Sequence, residues 1–129
     1  MPVELKWLGW SLVLGLVYVL FAATLSTQQR GLKWNASNRD IEPRPLTGAA
    51  ARADRASWNF LETFGFFAAA VLAVVVAQRT NASSALGVQL YFWARLVYLP
   101  VYAIGIPYLR TLVWAVSLVG IIMVLTGLF

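Results

Sequence analysis

Four long apolar stretches, separated by turns and one polar connection, constrain this chain more than any other feature. Trp7 to Leu25 and Thr111 to Phe129 are each 19 residues without a charge. A helix of about 20 such residues crosses a hydrocarbon core. Phe60 to Ala77 holds one charged residue, Glu62, while Ala85 to Ile104 is apolar except for Gln89 and Arg95 and carries Pro100. In hydrocarbon every backbone N–H and C=O must bond within the protein, so these stretches are expected as helices. The pattern predicts an all-α integral membrane protein, a four-transmembrane-helix bundle. The expected helices cover approximately residues 6–27, 48–78, 83–104 and 108–129, with a polar connection over 28–47.

Composition points the same way. The chain is 60% hydrophobic and 12% charged, against roughly 25% charge in a soluble domain. Its 129 residues suit one compact bundle. A cleaved signal peptide would carry an apolar stretch of about 7–15 residues after a more basic start than Glu4 and Lys6 provide. The first segment is therefore read as a span. Cysteine and histidine are both absent, which excludes disulfides, thiolate metal sites and a His-dependent hydrolase or zinc enzyme. No metal is expected. Net charge is +5, but no nucleic-acid motif accompanies it, so nucleic acid is not an expected partner.

The basic residues instead report topology. Arg30, Lys33, Arg39, Arg44, Arg52 and Arg55, six of the ten, lie in the first connection and the start of the second helix. The positive-inside rule then puts that connection in the cytoplasm and both termini outside. Pro43 and Pro45 forbid a continuous helix there, and Thr47 is the expected N-cap of the second helix. A helix from Gly48 to about Gln78 is about 45 Å long at 1.5 Å per residue, so it projects from the bilayer on the side of the connection. Ser83 or Ser84 is expected to cap the third helix, and Gly105 with Pro107 marks a tight turn. The sequons at Asn35 and Asn81 are read as chance matches beside the membrane.

Two polar stripes interrupt the apolar surface. Arg55, Asn59 and Glu62 stand at i, i+4 and i+7, on one helical face. Arg95, Tyr98 and Tyr102 stand at i, i+3 and i+7 on the third helix, and Arg110 opens the fourth. Both stripes lie towards the cytoplasmic leaflet. Ionisable groups at such depth need partners. Either stripe alone reads as interhelical glue or an aromatic belt. Together, Arg55, Arg95 and Arg110 exceed one buried acid, and the surplus positive charge calls for an anionic ligand.

The Arg-x-x-x-Asn-x-x-Glu pattern at Arg55, Asn59 and Glu62 resembles the signature of the membrane-associated eicosanoid and glutathione metabolism (MAPEG) family, and lies in the second of four helices as it does there. Ala94-Arg95-Leu96-Val97-Tyr98 with Tyr102 is similar to a third-helix motif of one of the family's glutathione transferases. Asn38-Arg39-Asp40 and Pro45-Leu46-Thr47-Gly48 resemble the first loop of its bacterial members. The resemblance implies a homotrimer in a bacterial inner membrane, with glutathione as co-substrate between neighbouring subunits. Arg55, Asn59 and Glu62 would grip the tripeptide, with Arg95, Tyr98 and Tyr102 lining it from the adjacent chain. Arg110 would be the catalytic residue that favours the thiolate, whose free pKa is about 8.5, for attack on a lipophilic electrophile. The chain departs from some members in lacking a histidine in the third-helix stripe, and the spacing from Tyr102 to Arg110 varies across the family.

The implied function is that of a glutathione-dependent membrane transferase or peroxidase. The alternative within the fold is a non-catalytic lipid-binding or scaffold protein. A small multidrug exporter shares the chain length, but such exporters place a lone acid within the first span, and Trp7 to Leu25 has none.

Overall fold

A computed structural model describes all residues, Met1 to Phe129. All of the regular structure is helical: α1 (Val3–Arg30), a short α2 (Leu32–Ala36), α3 (Gly48–Val76), α4 (Ala82–Ile104) and α5 (Pro107–Leu125), closed by a 3-10 turn at Thr126–Leu128. Three of these, α1, α3 and α5 with its terminal turn, are long and apolar enough to cross a membrane. α4 is as long as a span at 23 residues, but Gln89, Arg95, Pro100 and three tyrosines lower its hydropathy.

α3 and α4 occupy the middle. α1 packs on both of them, α5 packs on both from the other side, and α1 and α5 do not touch. In α1 the buried residues are Glu4, Leu8, Ser11, Leu14, Tyr18 and Ala22, a three- and four-residue spacing that makes one narrow seam down a helix apolar nearly all round. The face opposite the seam exposes Leu12, Leu16 and Leu20, as expected of a helix whose solvent is lipid. The interior, by contrast, includes Ser11, Ser57, Thr63, Ser84, Arg95 and Ser117. Small and polar residues at helix contacts are the usual inversion in membrane bundles, where apolar burial gives no net drive between helices. The crossing of α4 and α5 shows this most sharply. A Cβ on Gly87 would stand 2.6 Å from the Gly120 carbonyl oxygen, and one on Gly120 would stand 2.7 Å from that of Gly87.

Several local expectations need correction. The first helix continues to Arg30 and stops at Gly31, whose φ of 90° suits a residue without Cβ. The connection contains α2, because Leu32 to Ala36 can wind one turn before the prolines. Thr47 does occupy the N-cap position of α3, but its side chain makes no cap bond. Its backbone pairs with the Gln29 side chain instead, N–H to Oε1 at 3.0 Å and C=O from Nε2 at 2.9 Å. α4 is capped by Asn81 rather than by a serine: Asn81 Oδ1 accepts the Ser84 N–H at 2.8 Å and Ser84 Oγ accepts the Asn81 N–H at 2.8 Å. The reciprocal pair is a capping box with serine in the third position. Pro100 is accommodated without ending α4, which runs on to a left-handed Gly105 at φ 91°, ψ 38°.

Candidate functional site

The N-terminal part of α3, the end of α4 and the start of α5 converge at the turn Gly105–Ile106–Pro107. A two-residue gap between α4 and α5 forces them into an antiparallel hairpin and brings Arg110 back beside Tyr102. The resulting pocket of about 270 Å³ is lined by Arg52, Arg55, Tyr102, Arg110 and the turn. Arg52 and Arg55 are one helical turn apart on α3, so both reach the same cleft. Three guanidinium groups share this wall with no carboxylate.

Tyr102 is the centre of the arrangement. Arg55 Nε donates to its hydroxyl at 3.0 Å. The Arg55 and Arg110 guanidinium carbons lie 5.8 and 4.8 Å from its ring centroid, within the range of cation–π attraction. Tyr98 meets Tyr102 edge-on at 5.4 Å between centroids. Arg52 Nε donates to the Ala103 carbonyl at 2.9 Å, tying α3 to the last turn of α4.

Beneath this pocket, deeper in the bundle, lies a fourth guanidinium. Arg95 has 0% exposure. Its Nη1 donates to Asn59 Oδ1 and its Nη2 to Thr63 Oγ1, both at 2.7 Å. The rings of Phe60, Tyr91 and Tyr98 surround its guanidinium at 5.8, 5.7 and 5.0 Å. Its Nε has no partner. A charge taken wholly out of water is costly unless bonded, and here an amide, a hydroxyl and three aromatic faces take the place of a counter-ion. Tyr18 on α1 adds a bond from its hydroxyl to the Arg95 carbonyl.

Of the residues singled out by spacing, Arg55, Tyr102 and Arg110 are brought together in the pocket. Asn59 and Arg95 meet one layer below it. Tyr98 is buried and connects the two layers, and Glu62 is exposed on α3. Arg95 faces the core of its own chain, and Tyr102 meets Arg55 within one chain, because α3 and α4 pack directly together. Arg52 and Thr63 join the arrangement; the signals were their positions, three before Arg55 and four after Asn59 on the same helical face. The remaining loop cations are used locally: Arg30 and Arg39 bond backbone carbonyls of Arg44 and Asn35 and lie over Trp34 at 5.4 and 5.3 Å.

A larger groove carries less chemistry. The groove of about 530 Å³ between α3 and α5 is lined by apolar residues and Thr63. Its lining offers an anionic ligand only the Thr63 hydroxyl.

Comparison with the curated proteins and with the solved structures returned no match. The family model described as MAPEG family matches residues 7–129. With nearly the whole chain covered, the protein belongs to the MAPEG family.

Proposed function

We propose that this protein is a glutathione-dependent membrane transferase or peroxidase that conjugates or reduces lipophilic electrophiles. The family includes enzymes of that kind. The observation that carries the reading is the convergence of Arg52, Arg55 and Arg110 on Tyr102 in a pocket without a carboxylate. Glutathione offers what such a wall lacks: two carboxylates for guanidinium groups, which bind them through paired N–H donors, and an ammonium for Glu62.

In this reading Arg55 and Arg52 hold carboxylate, Asn59 hydrogen-bonds the peptide, and Glu62 takes the ammonium. Tyr102 and Arg110 stand at the sulfur. A guanidinium beside a thiol favours its ionised form, and the thiolate attacks the electrophile. Tyr98 backs Tyr102, and Arg95 supports the site from below. Glu62 is exposed and does not line the pocket, which suits a site completed by a neighbouring subunit, as in a homotrimer. α4 serves as the fourth span, its one charge being satisfied inside the chain. The polar connection lies in the cytoplasm of a bacterial cell and both termini lie outside. The bilayer delivers the electrophile.

Calorimetry of glutathione against the detergent-purified protein, followed by the ultraviolet absorbance of the thiolate near neutral pH, tests this. Binding with a thiolate signal is the expected result. No binding at millimolar glutathione overturns the reading.

A further inference from the structure

Asn59 has an amide that could present either an acceptor or donors to a ligand, and the choice decides what it recognises. Arginine has N–H donors only. The atom of Asn59 that meets Arg95 Nη1 at 2.7 Å must therefore be the oxygen, and the amide nitrogen points the other way. That nitrogen makes no hydrogen bond within the chain and is not sealed from its surroundings. Asn59 stands between Arg55 and Glu62 on one face of α3, so both of its N–H groups remain for a ligand lying along that face.

We infer that Arg95 is a positioning residue: by engaging the Asn59 oxygen from inside the core, it presents Asn59 to the ligand as a donor only. This rests on the glutathione reading and adds the polarity of one subsite, which takes a carbonyl or carboxylate oxygen and rejects an N–H. The same device recurs in the pocket. Tyr102 Oη already accepts from Arg55 Nε at 3.0 Å, so its proton is the group left to offer. Glu62 is then the one acceptor on the stripe.

The geometry explains why a fully buried cation is placed here. Its second bond goes to Thr63 Oγ1 at 2.7 Å, four residues after Asn59, so the guanidinium spans one turn of α3. The aromatic faces of Phe60, Tyr91 and Tyr98 leave it little room to turn. Rotation of the Asn59 amide would bring its N–H groups against those of Arg95, donor against donor in a medium of low dielectric. The orientation is locked by chemistry rather than by packing alone.

A double-mutant cycle on the full-length protein separates positioning from simple structural support. Glutathione affinity is measured by calorimetry for the wild type, Arg95→Met, Asn59→Ala and the double variant. Arg95→Met is expected to lose about tenfold in affinity in the wild-type background, roughly the effect of one hydrogen bond, and nothing further in the Asn59→Ala background. An equal loss in both backgrounds, or no loss in either, overturns the inference. Arg95→Lys, which keeps a donor, is expected to recover part of the affinity. Asn59→Asp guards against a variant that fails to fold, since the aspartate gives Arg95 a charged partner while exchanging the ligand's donors for an acceptor. It is expected to stay folded and lose more than tenfold in affinity. Wild-type affinity in Asn59→Asp overturns the donor assignment. A wild-type protein that binds no glutathione overturns the glutathione reading and this inference with it. A wild type that binds, with Arg55→Ala losing affinity and Arg95→Met unchanged, overturns this inference alone.

Discussion

The guanidinium of Arg110 lies 4.8 Å from the centre of the Tyr102 ring, although seven residues and a reversal of chain direction separate them. Ile106 is the N-cap and Pro107 the first residue of α5, a position where the missing N–H is not needed and the fixed φ starts the helix. The turn thus sets Arg110 one helical turn into α5, facing back towards α4. Because Arg110 touches the pocket at its α5 side only, its removal leaves Arg52 and Arg55 in place. Arg110→Ala is expected to bind glutathione with little change while the bound thiol returns towards its ordinary pKa of about 8.5. Turnover with an electrophile falls by about a hundredfold, the scale for loss of one charge-stabilising donor. Stopped-flow thiolate absorbance beside kcat measurement checks both.

In the proposed glutathione reading, Arg55 and Glu62 hold opposite ends of the ligand. Arg55→Ala removes the donor to Tyr102 Oη as well as a carboxylate partner, and Glu62→Gln removes the charge for an ammonium. Both residues are exposed, so neither change is expected to unfold the bundle. Loss of a charged hydrogen-bond partner costs about 1.5–3 kcal/mol, which predicts glutathione affinity lowered by about tenfold to a hundredfold in each. A glutathione analogue acetylated at its amine is expected to bind Glu62→Gln as well as it binds the wild type. Full affinity in both variants would place the ligand elsewhere.

Much of this arrangement was legible in the sequence, for a physical reason. Arg55, Asn59 and Glu62 share a face by helical periodicity alone, and absence of charge over Trp7 to Leu25 announces a span without knowledge of its neighbours. What spacing does not carry is which way a polar face turns. Arg95 and Tyr102 lie on one stripe of α4, yet Arg95 points into the core and Tyr102 into the pocket. Deciding between them requires the packing of α3, 36 residues earlier at Asn59. The α4 cap was hidden for a different reason. Asn81, Ser83 and Ser84 are all competent caps, and which one serves depends on where the preceding turn releases the chain. Gly87 and Gly120 gave no signal, because two glycines in two helices announce a crossing only when the helices are seen together.

The Gly87–Gly120 crossing is expected to be the least tolerant position outside the site. The nearest atoms to a Cβ on Gly120 are backbone, the Gly87 oxygen at 2.7 Å and the Tyr91 nitrogen at 2.9 Å. No rotamer change relieves such a clash, so α4 and α5 must separate. Gly120→Ala is expected to destabilise by about 1–3 kcal/mol, the range for overpacking. Gly65→Ala, where a Cβ meets nothing within 4 Å, serves as the control and is expected to unfold as the wild type does. Thermal unfolding in detergent followed by circular dichroism compares the two.

Arg52 and Gly105 make the turn itself a target. Gly105 adopts φ 91°, and a Cβ there would stand 3.3 Å from Arg52 Nε, the nitrogen that bonds the Ala103 carbonyl. Gly105→Ala therefore meets two penalties, backbone strain of about 1–2 kcal/mol in the left-handed region and displacement of the guanidinium. Arg52→Ala relieves only the second contact, while freeing a carbonyl at the end of α4. If Arg52 holds the turn, both variants shift Arg110 relative to Tyr102. Turnover is then expected to fall in both, by more in Gly105→Ala, and Gly105→Ala in the Arg52→Ala background is expected to lose less than it does alone. Equal losses in the two backgrounds would show that Arg52 contributes charge to the pocket without organising the turn.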